Sequence, residues 1–222
     1  MKKILILSLT LILGIGATAQ VKFGVKAGLN LSSLSDVETS ASGASILIEE
    51  NDGMAVGFHV GGFVNFSFGQ YIGLQPELLF SMQGDKQKVP STLLPAGSNG
   101  STDYTFDYIN IPVLLDIKPF ANFSILVGPQ IGFNIYKSAT IDGKTMSGSE
   151  MDDSFEVVLG KKPFKSFDFA VVGGLQYTFI EYLTIGARYN FGLTNAFSLS
   201  ESGVDITGWK NSVIQISVGW IF

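Results

Sequence analysis

Along most of the chain, apolar and polar residues exchange places at every second position. The stretch from Ser212 to Phe222 shows this most plainly. Ile214, Ile216, Val218, Trp220 and Phe222 fall on one side, with Gln215, Ser217 and Gly219 between them. A period of two marks an extended strand with unlike faces. It recurs in about eight segments, roughly 21–31, 54–68, 71–83, 104–117, 122–136, 165–179, 182–193 and 212–222. Most of these reach the roughly 9–11 residues that a tilted membrane strand needs. No stretch carries a helical stripe.

The connections alternate in length. Tight turns sit around "FGQY", "KPFAN" and "FIEY", and long polar loops cover roughly 32–53, 84–103, 137–164 and 194–211. Strict alternation places all the long loops at one end of an up-and-down meander. The predicted fold is all-β: a closed antiparallel transmembrane barrel of about eight strands. Its short turns and both termini would be periplasmic and its long loops external.

Which face is apolar separates a membrane barrel from a soluble calyx. One face carries Phe23, Val25, Leu29, Phe58, Val60, Leu78, Ile111, Val113, Ile125, Val127, Phe169, Val171 and many more. Eight strands enclose a space only just wide enough for side chains, so this set cannot lie inside. The opposite face holds ten glycines, among them Gly24, Gly28, Gly61 and Gly219. Between them sit Lys26, Asn30, His59, Gln75, Glu77, Gln130, Asp168, Arg188, Asn190 and Gln215. The apolar face therefore meets lipid, and the glycine–polar face fills the lumen.

Two features disturb the pattern. Pro76, Pro112 and Pro129 lie within predicted strands, and proline donates nothing to a ladder. Each predicts a bulge or a missing bond. Tyr104, Phe106 and Tyr108 share parity with Asn110 rather than Ile109. That predicts either a bulge or aromatics capping the lumen near the outer rim.

Composition explains itself on this plan. The 26 glycines are out of place in ordinary strands but suit a crowded lumen. Of the 19 acidic residues, 14 fall in the four long loops, including "EEND" at Glu49–Asp52 and "SEMDD" at Ser149–Asp153. These clusters supply oxygen ligands suited to Ca²⁺ or Mg²⁺ but lack EF-hand spacing, and they read as solvated external loops.

Residues 1–19 predict a cleaved signal peptide. Lys2 and Lys3 precede the apolar run Ile4–Ile15, and "ATA" ends at Ala19. Ala17 and Ala19 supply the small residues of the cleavage site, and the mature chain starts at Gln20. The apolar run is too short for a membrane helix, which takes about 20 residues. No cysteine follows to carry a lipid anchor. Loss of two lysines takes the formal charge from −5 to −7, which argues against a nucleic-acid partner.

Five blocks together are similar to one family: "GVKAGLNLS" (Gly24–Ser32), "IGLQPELLFS" (Ile72–Ser81), "INIPVLL" (Ile109–Leu115), "VGPQIG" (Val127–Gly132) and "VVGGLQY" (Val171–Tyr177). They resemble the PorT-like, porin-family outer-membrane β-barrel proteins abundant in Bacteroidota, from about Val21 to Phe222. The resemblance implies a barrel in the outer membrane of a Gram-negative cell, usually without an assigned activity. The end of the chain also resembles the signal read by the barrel-assembly machinery. Gln215, Trp220 and Phe222 match it, Ser217 stands where glycine is usual, and Gly219 lies two residues on.

No catalytic set, cofactor site or metal centre is predicted. His59, the sole histidine, would need a nucleophile and an orienting acid to act as a base. Ser67, Ser81 and Asp168 are the available partners, but no motif ties them to it. The lumen network is predicted to comprise Lys26, His59, Gln75, Glu77, Asp168, Arg188 and Gln215, with Lys26, Glu77, Asp168 and Arg188 as a charge cluster. Buried charges must be paired, so this cluster reads as a plug.

The expected protein is therefore a non-enzymatic, monomeric outer-membrane barrel. It would act structurally, or by ligand binding or adhesion through its external loops. Outer-membrane lipid, lipopolysaccharide, the assembly machinery and an unidentified extracellular ligand are its expected partners. Small-solute transport, or an accessory part in protein secretion, is the alternative.

Overall fold

A computed structural model describes residues 20–34, 37–41, 54–88, 101–141, 144–147, 167–201 and 204–222. The residues predicted as the leader, Ala17 and Ala19 among them, and both acidic clusters lie outside these. Ten strands follow in order: β1 (Gln20–Leu34), β2 (Val37–Ala41), β3 (Ala55–Phe68), β4 (Ile72–Lys88), β5 (Ser101–Phe120), β6 (Phe123–Ile141), β7 (Lys144–Ser147), β8 (Phe167–Phe179), β9 (Leu183–Glu201) and β10 (Val204–Ile221). Eight of them, all but β2 and β7, form an antiparallel barrel in the order β1-β3-β4-β5-β6-β8-β9-β10. It closes where β1 meets β10, from Gly24↔Ile221 to Leu34↔Asn211. The final residue is tied in as well, since Phe222 N donates to Phe23 O at 2.8 Å.

The two faces divide as the periodicity predicts. Adjacent leucines show the contrast: Leu78 is 58% exposed and Leu79 1%. Phe23, Leu29, Val60, Val127, Phe169 and Ile216 point outward and are exposed, while Lys26, Asn30, His59, Gln75 and Gln215 point inward and are buried. Glycine lets neighbouring walls approach. A Cβ on Gly61 would lie 2.0 Å from the Leu78 carbonyl oxygen, and one on Gly28 would lie 2.7 Å from the His59 ring.

The prolines leave gaps rather than bulges. The β3–β4 ladder passes from Phe63↔Glu77 to Phe66↔Leu74 without a change of register, and Pro76 lies in the gap. The β5–β6 ladder likewise passes from Pro112↔Gln130 to Leu115↔Val127. A missing donor thus removes bonds without shifting either strand. Register shifts occur elsewhere, at Asp107/Tyr108 and Ile117/Phe120 of β5 and at Lys210/Ser212 of β10. Asp107 opposes Tyr136 and Tyr108 opposes Asn134, which leaves Ile135 as the extra residue on β6. β5 keeps its parity, and Phe106 and Tyr108 are buried inside the lumen. The side chain of Tyr104 lies outside the described set.

The predicted loop boundaries need correction. β4 and β5 stay paired out to Lys88↔Ser101, and β9 and β10 out to Glu201↔Val204. Most of 194–211 is therefore ladder. β2 prolongs β1 along β10 in the same register, from Leu34↔Asn211 to Val37↔Gly208, and β7 folds back on β6. Apolar alternation ends where the outward face stops needing it, but backbone pairing is equally good in water and continues.

The opposite end turns tightly. Gly69 takes φ +77°, while Ile180 and Glu181 adopt φ +44° and +58°. That region is costly for non-glycine residues, and most of all for a β-branched one. Aromatic rings ring this end: Tyr182 stacks on Trp220 at 4.4 Å and Tyr177 meets Phe179 at 4.7 Å.

Candidate functional site

Alternation puts one side chain from every second residue into the lumen, and strand register sets its height. At mid-height Glu77 of β4 receives two cations. Lys26 Nζ donates to its Oε1 at 2.6 Å and Arg188 Nη1 to its Oε2 at 2.7 Å, with all three side chains at most 5% exposed. Charge-assisted bonds of this length are the strong kind. Gln75 Nε2 also donates to Oε1, at 2.9 Å.

The bonds continue both ways from this centre. Towards the loops, Arg188 Nε donates to Gln215 Oε1 at 2.6 Å, and Gln215 Nε2 donates to Asn30 Oδ1 at 2.8 Å. Asn30 Nδ2 reaches Ser81 Oγ at 3.0 Å, Gln83 Nε2 donates to the same hydroxyl at 2.9 Å, and Asn211 bonds Gln83. Towards the turns, Asn65 Nδ2 bridges Gln75 Oε1 at 3.0 Å and Asp116 Oδ2 at 2.7 Å. Lys118 then meets Asp116 at 3.2 Å and Ser67 Oγ at 2.7 Å. One line of side-chain bonds thus runs from Lys118 to Asn211.

His59 Nδ1 lies 2.8 Å from Asn30 Oδ1. That oxygen is an acceptor, because Asn30 Nδ2 donates elsewhere, so Nδ1 carries a hydrogen and donates to it. No catalytic triad forms around it among the described residues. Ser67 binds Asn65 and Lys118, and Ser81 binds Asn30 and Gln83. Asp168 is also apart from the predicted charge cluster. It bonds the Thr194 hydroxyl, which in turn accepts from Phe169 N at 2.9 Å. Register explains the separation: Arg188 opposes Gly174, six residues from Asp168 along β8, which is about 20 Å of strand.

Sequence reasoning missed an apolar patch inside the lumen. Leu114, Leu126 and Val172, on β5, β6 and β8, are at most 3% exposed and cluster together. Leu79 and Ala170 are also buried inward. The clue lay in doubled apolar pairs, Leu114–Leu115, Leu126–Val127 and Val171–Val172, where both faces of the strand are apolar. At the turn end the lumen is hollow instead, forming a well of about 750 Å³ above Phe63 and Gln75.

Among the described residues no group of three or more metal-ligating side chains occurs. His59 Nε2, Asp107 Oδ1, Asn110 Nδ2, Asp116 Oδ1, Gln130 Oε1, Arg188 Nη2 and Asn190 Oδ1 are buried without a hydrogen-bond partner.

The predicted assembly residues lie along β10 and at the end of the chain. Gln215 and Gly219 face the lumen, Trp220 is exposed on the outer face, and Phe222 is exposed at the rim. Gln20 lies at the rim of the well.

Residues 17–198 match the model of a family described as outer membrane protein beta-barrel domain. No curated protein sequence matches the chain. Among solved structures, the chain is similar to Neisserial surface protein A at 14% identity and a TM-score of 0.49, covering 91% of this chain and 99% of that one. It is also similar to the outer membrane protein OprG of Pseudomonas aeruginosa at 13% identity and a TM-score of 0.45, covering 92% and 97%. A third is the attachment invasion locus protein Ail of Yersinia pestis, in complex with the heparin analogue sucrose octasulfate. It shows 12% identity and a TM-score of 0.44 over 91% and 99% of the two chains.

Proposed function

The chain belongs to the outer membrane protein beta-barrel domain family, and from that premise we propose that it is a non-enzymatic, monomeric barrel of the outer membrane with a plugged lumen. It acts structurally, or by ligand binding or adhesion through the loops at the end away from the turns. The observation that carries this reading is the unbroken line of side-chain bonds through the lumen, centred on Glu77 between Lys26 and Arg188. A conducting path would have to break charge-assisted bonds with no solvent to replace them. The hollow part of the lumen, the well at the turn end, stops at Phe63 and Gln75, short of these bonds.

The tight turns face the periplasm, and lipopolysaccharide surrounds the other rim. The assembly machinery reads β10 through Gln215, Gly219, Trp220 and Phe222. Membership of the PorT-like branch, with an accessory part in secretion, is tested by deleting the gene and comparing the secreted proteins. Planar-bilayer recording tests the plug. The wild-type barrel is expected to give no stable openings. Stable solute-sized openings, or an Arg188→Ala barrel of unchanged heat stability but altered conductance, would overturn the plug in favour of transport.

A further inference from the structure

The lumen is filled unevenly. The network around Asn30 and His59 fills its loop-side half, its turn-side half is an open well of about 750 Å³, and the patch of Leu114, Leu126 and Val172 borders that well, with Leu114 opposite Gln75 and Leu126 opposite Asp116. Small-molecule sites span roughly 300–1,000 Å³. Phe63 and Gln75 form the floor, and Asn65, Asp116, Ser124 and Gln176 are in the wall. From Phe63 to Ser67 at the mouth is four residues of β3, about 13 Å at the usual strand rise.

The chemistry of the lining selects a ligand type. Its charges are balanced, Lys22 and Lys118 against Asp116 and Glu181. Lys118 is already committed to Asp116 at 3.2 Å and Ser67 at 2.7 Å. The Asp116 Oδ2 is committed to Lys118 and to Asn65. The pair is neutral as a whole, and Asp116 Oδ1, buried without a partner, is left to accept from a ligand hydroxyl or amide. Ser124 and Gln176 face each other across β6 and β8, line the well, and stand outside the bonded line from Lys118 to Asn211. Phe63, 4% exposed and with Lys26 Nζ 5.2 Å from its ring centroid, adds a small apolar contact at the floor. Gly24 makes room for it, since a Cβ there would lie 2.3 Å from the ring.

We infer that this well is a binding site for a neutral ligand rich in hydroxyl and amide groups, of the amino-sugar oligosaccharide class, entering from the periplasm. Amides and hydroxyls of the wall pair with its hydroxyl and acetamido groups, and Phe63 closes the floor beneath it. The proposed orientation decides only which compartment supplies the ligand.

The chain contains no cysteine, so Thr178→Cys places a single thiol on the well wall. The purified barrel in nanodiscs is labelled with a maleimide in the presence of N,N′-diacetylchitobiose. The disaccharide is expected to slow labelling. Gln176→Leu and Ser124→Val, each added to the Thr178→Cys background and checked for heat-modifiable migration, should raise the half-protecting concentration about tenfold, the equivalent of one or two lost hydrogen bonds. Labelling unaffected by the disaccharide overturns the site. Stronger protection by de-acetylated, cationic chitobiose or by a sulfated disaccharide overturns the neutral class. A membrane-impermeant maleimide on whole cells separates the two readings. Labelling only after the outer membrane is opened supports the periplasmic entry. Labelling of intact cells overturns the orientation while the nanodisc result stands.

Discussion

Glu77 stands between two cations, so the centre of the lumen carries one positive charge in excess, and removing different members has unequal consequences. Glu77→Gln leaves Lys26 and Arg188 facing each other. Their nitrogens sit on opposite oxygens of one carboxylate, 2.6 and 2.7 Å away. They are thus on the order of 5 Å apart, a repulsion of about 3 kcal/mol at an effective dielectric of about 20. This agrees with the about 3–5 kcal/mol lost when one partner of a buried ion pair is removed. Lys26→Met instead leaves a one-to-one pair of Arg188 and Glu77, with Oε1 still accepting from Gln75. It fills similar space and removes the surplus charge, so its cost should be under about 1 kcal/mol or its effect stabilising. Urea unfolding in lipid vesicles, followed by fluorescence of the two tryptophans, measures both, with heat-modifiable migration as the check of folding. Equal costs, or a larger loss for Lys26→Met, would refute the view that Glu77 is the member on which the other two depend.

Three further outcomes are expected. Gly61→Ala should abolish the heat-modifiable species, because its Cβ would lie 2.0 Å from the Leu78 carbonyl oxygen, whereas Gly173→Ala, with nothing within 4 Å, should fold normally; two equal yields would contradict the packing. Ile180→Gly should raise the urea midpoint by the equivalent of about 1 kcal/mol, since it relieves a β-branched residue held at φ +44°, and a lowered midpoint would count against strain there. A polar tag added after Phe222 should depress assembly in cells, and wild-type yields of the tagged barrel would refute a role for that end in recognition.

The lipid-facing surface was legible because alternation needs only local sequence. Phe23, Val25 and Leu29 declare their face without reference to any other strand. Height within the lumen was not legible, because it depends on register between strands distant in the chain. Asp168 has the right face and the right charge for the ionic cluster but lies about 20 Å of strand from the level of Arg188. The patch of Leu114, Leu126 and Val172 escaped notice because alternation is silent where neighbours are both apolar. The loop ends were misjudged for a related reason. The sequence marks where the outward face must be apolar, and Lys88↔Ser101 and Glu201↔Val204 remain paired beyond that line.

The seam between β1 and β10 imposes an order of events. Every other seam of the barrel joins strands consecutive around the meander, so those hairpins can zip as the chain becomes available. Gly24 must wait for Ile221, across almost the whole sequence, and such non-local pairing is slow. Until then the sheet has two open edges, and each unpaired backbone group in lipid costs several kcal/mol, roughly. Partial insertion is therefore opposed until closure is possible, and entry into the bilayer and completion of the ring become one late, all-or-none event. A catalyst of assembly would gain most by shielding those two edges, and a chain that lacked β10 would be held up at the membrane surface as an open sheet.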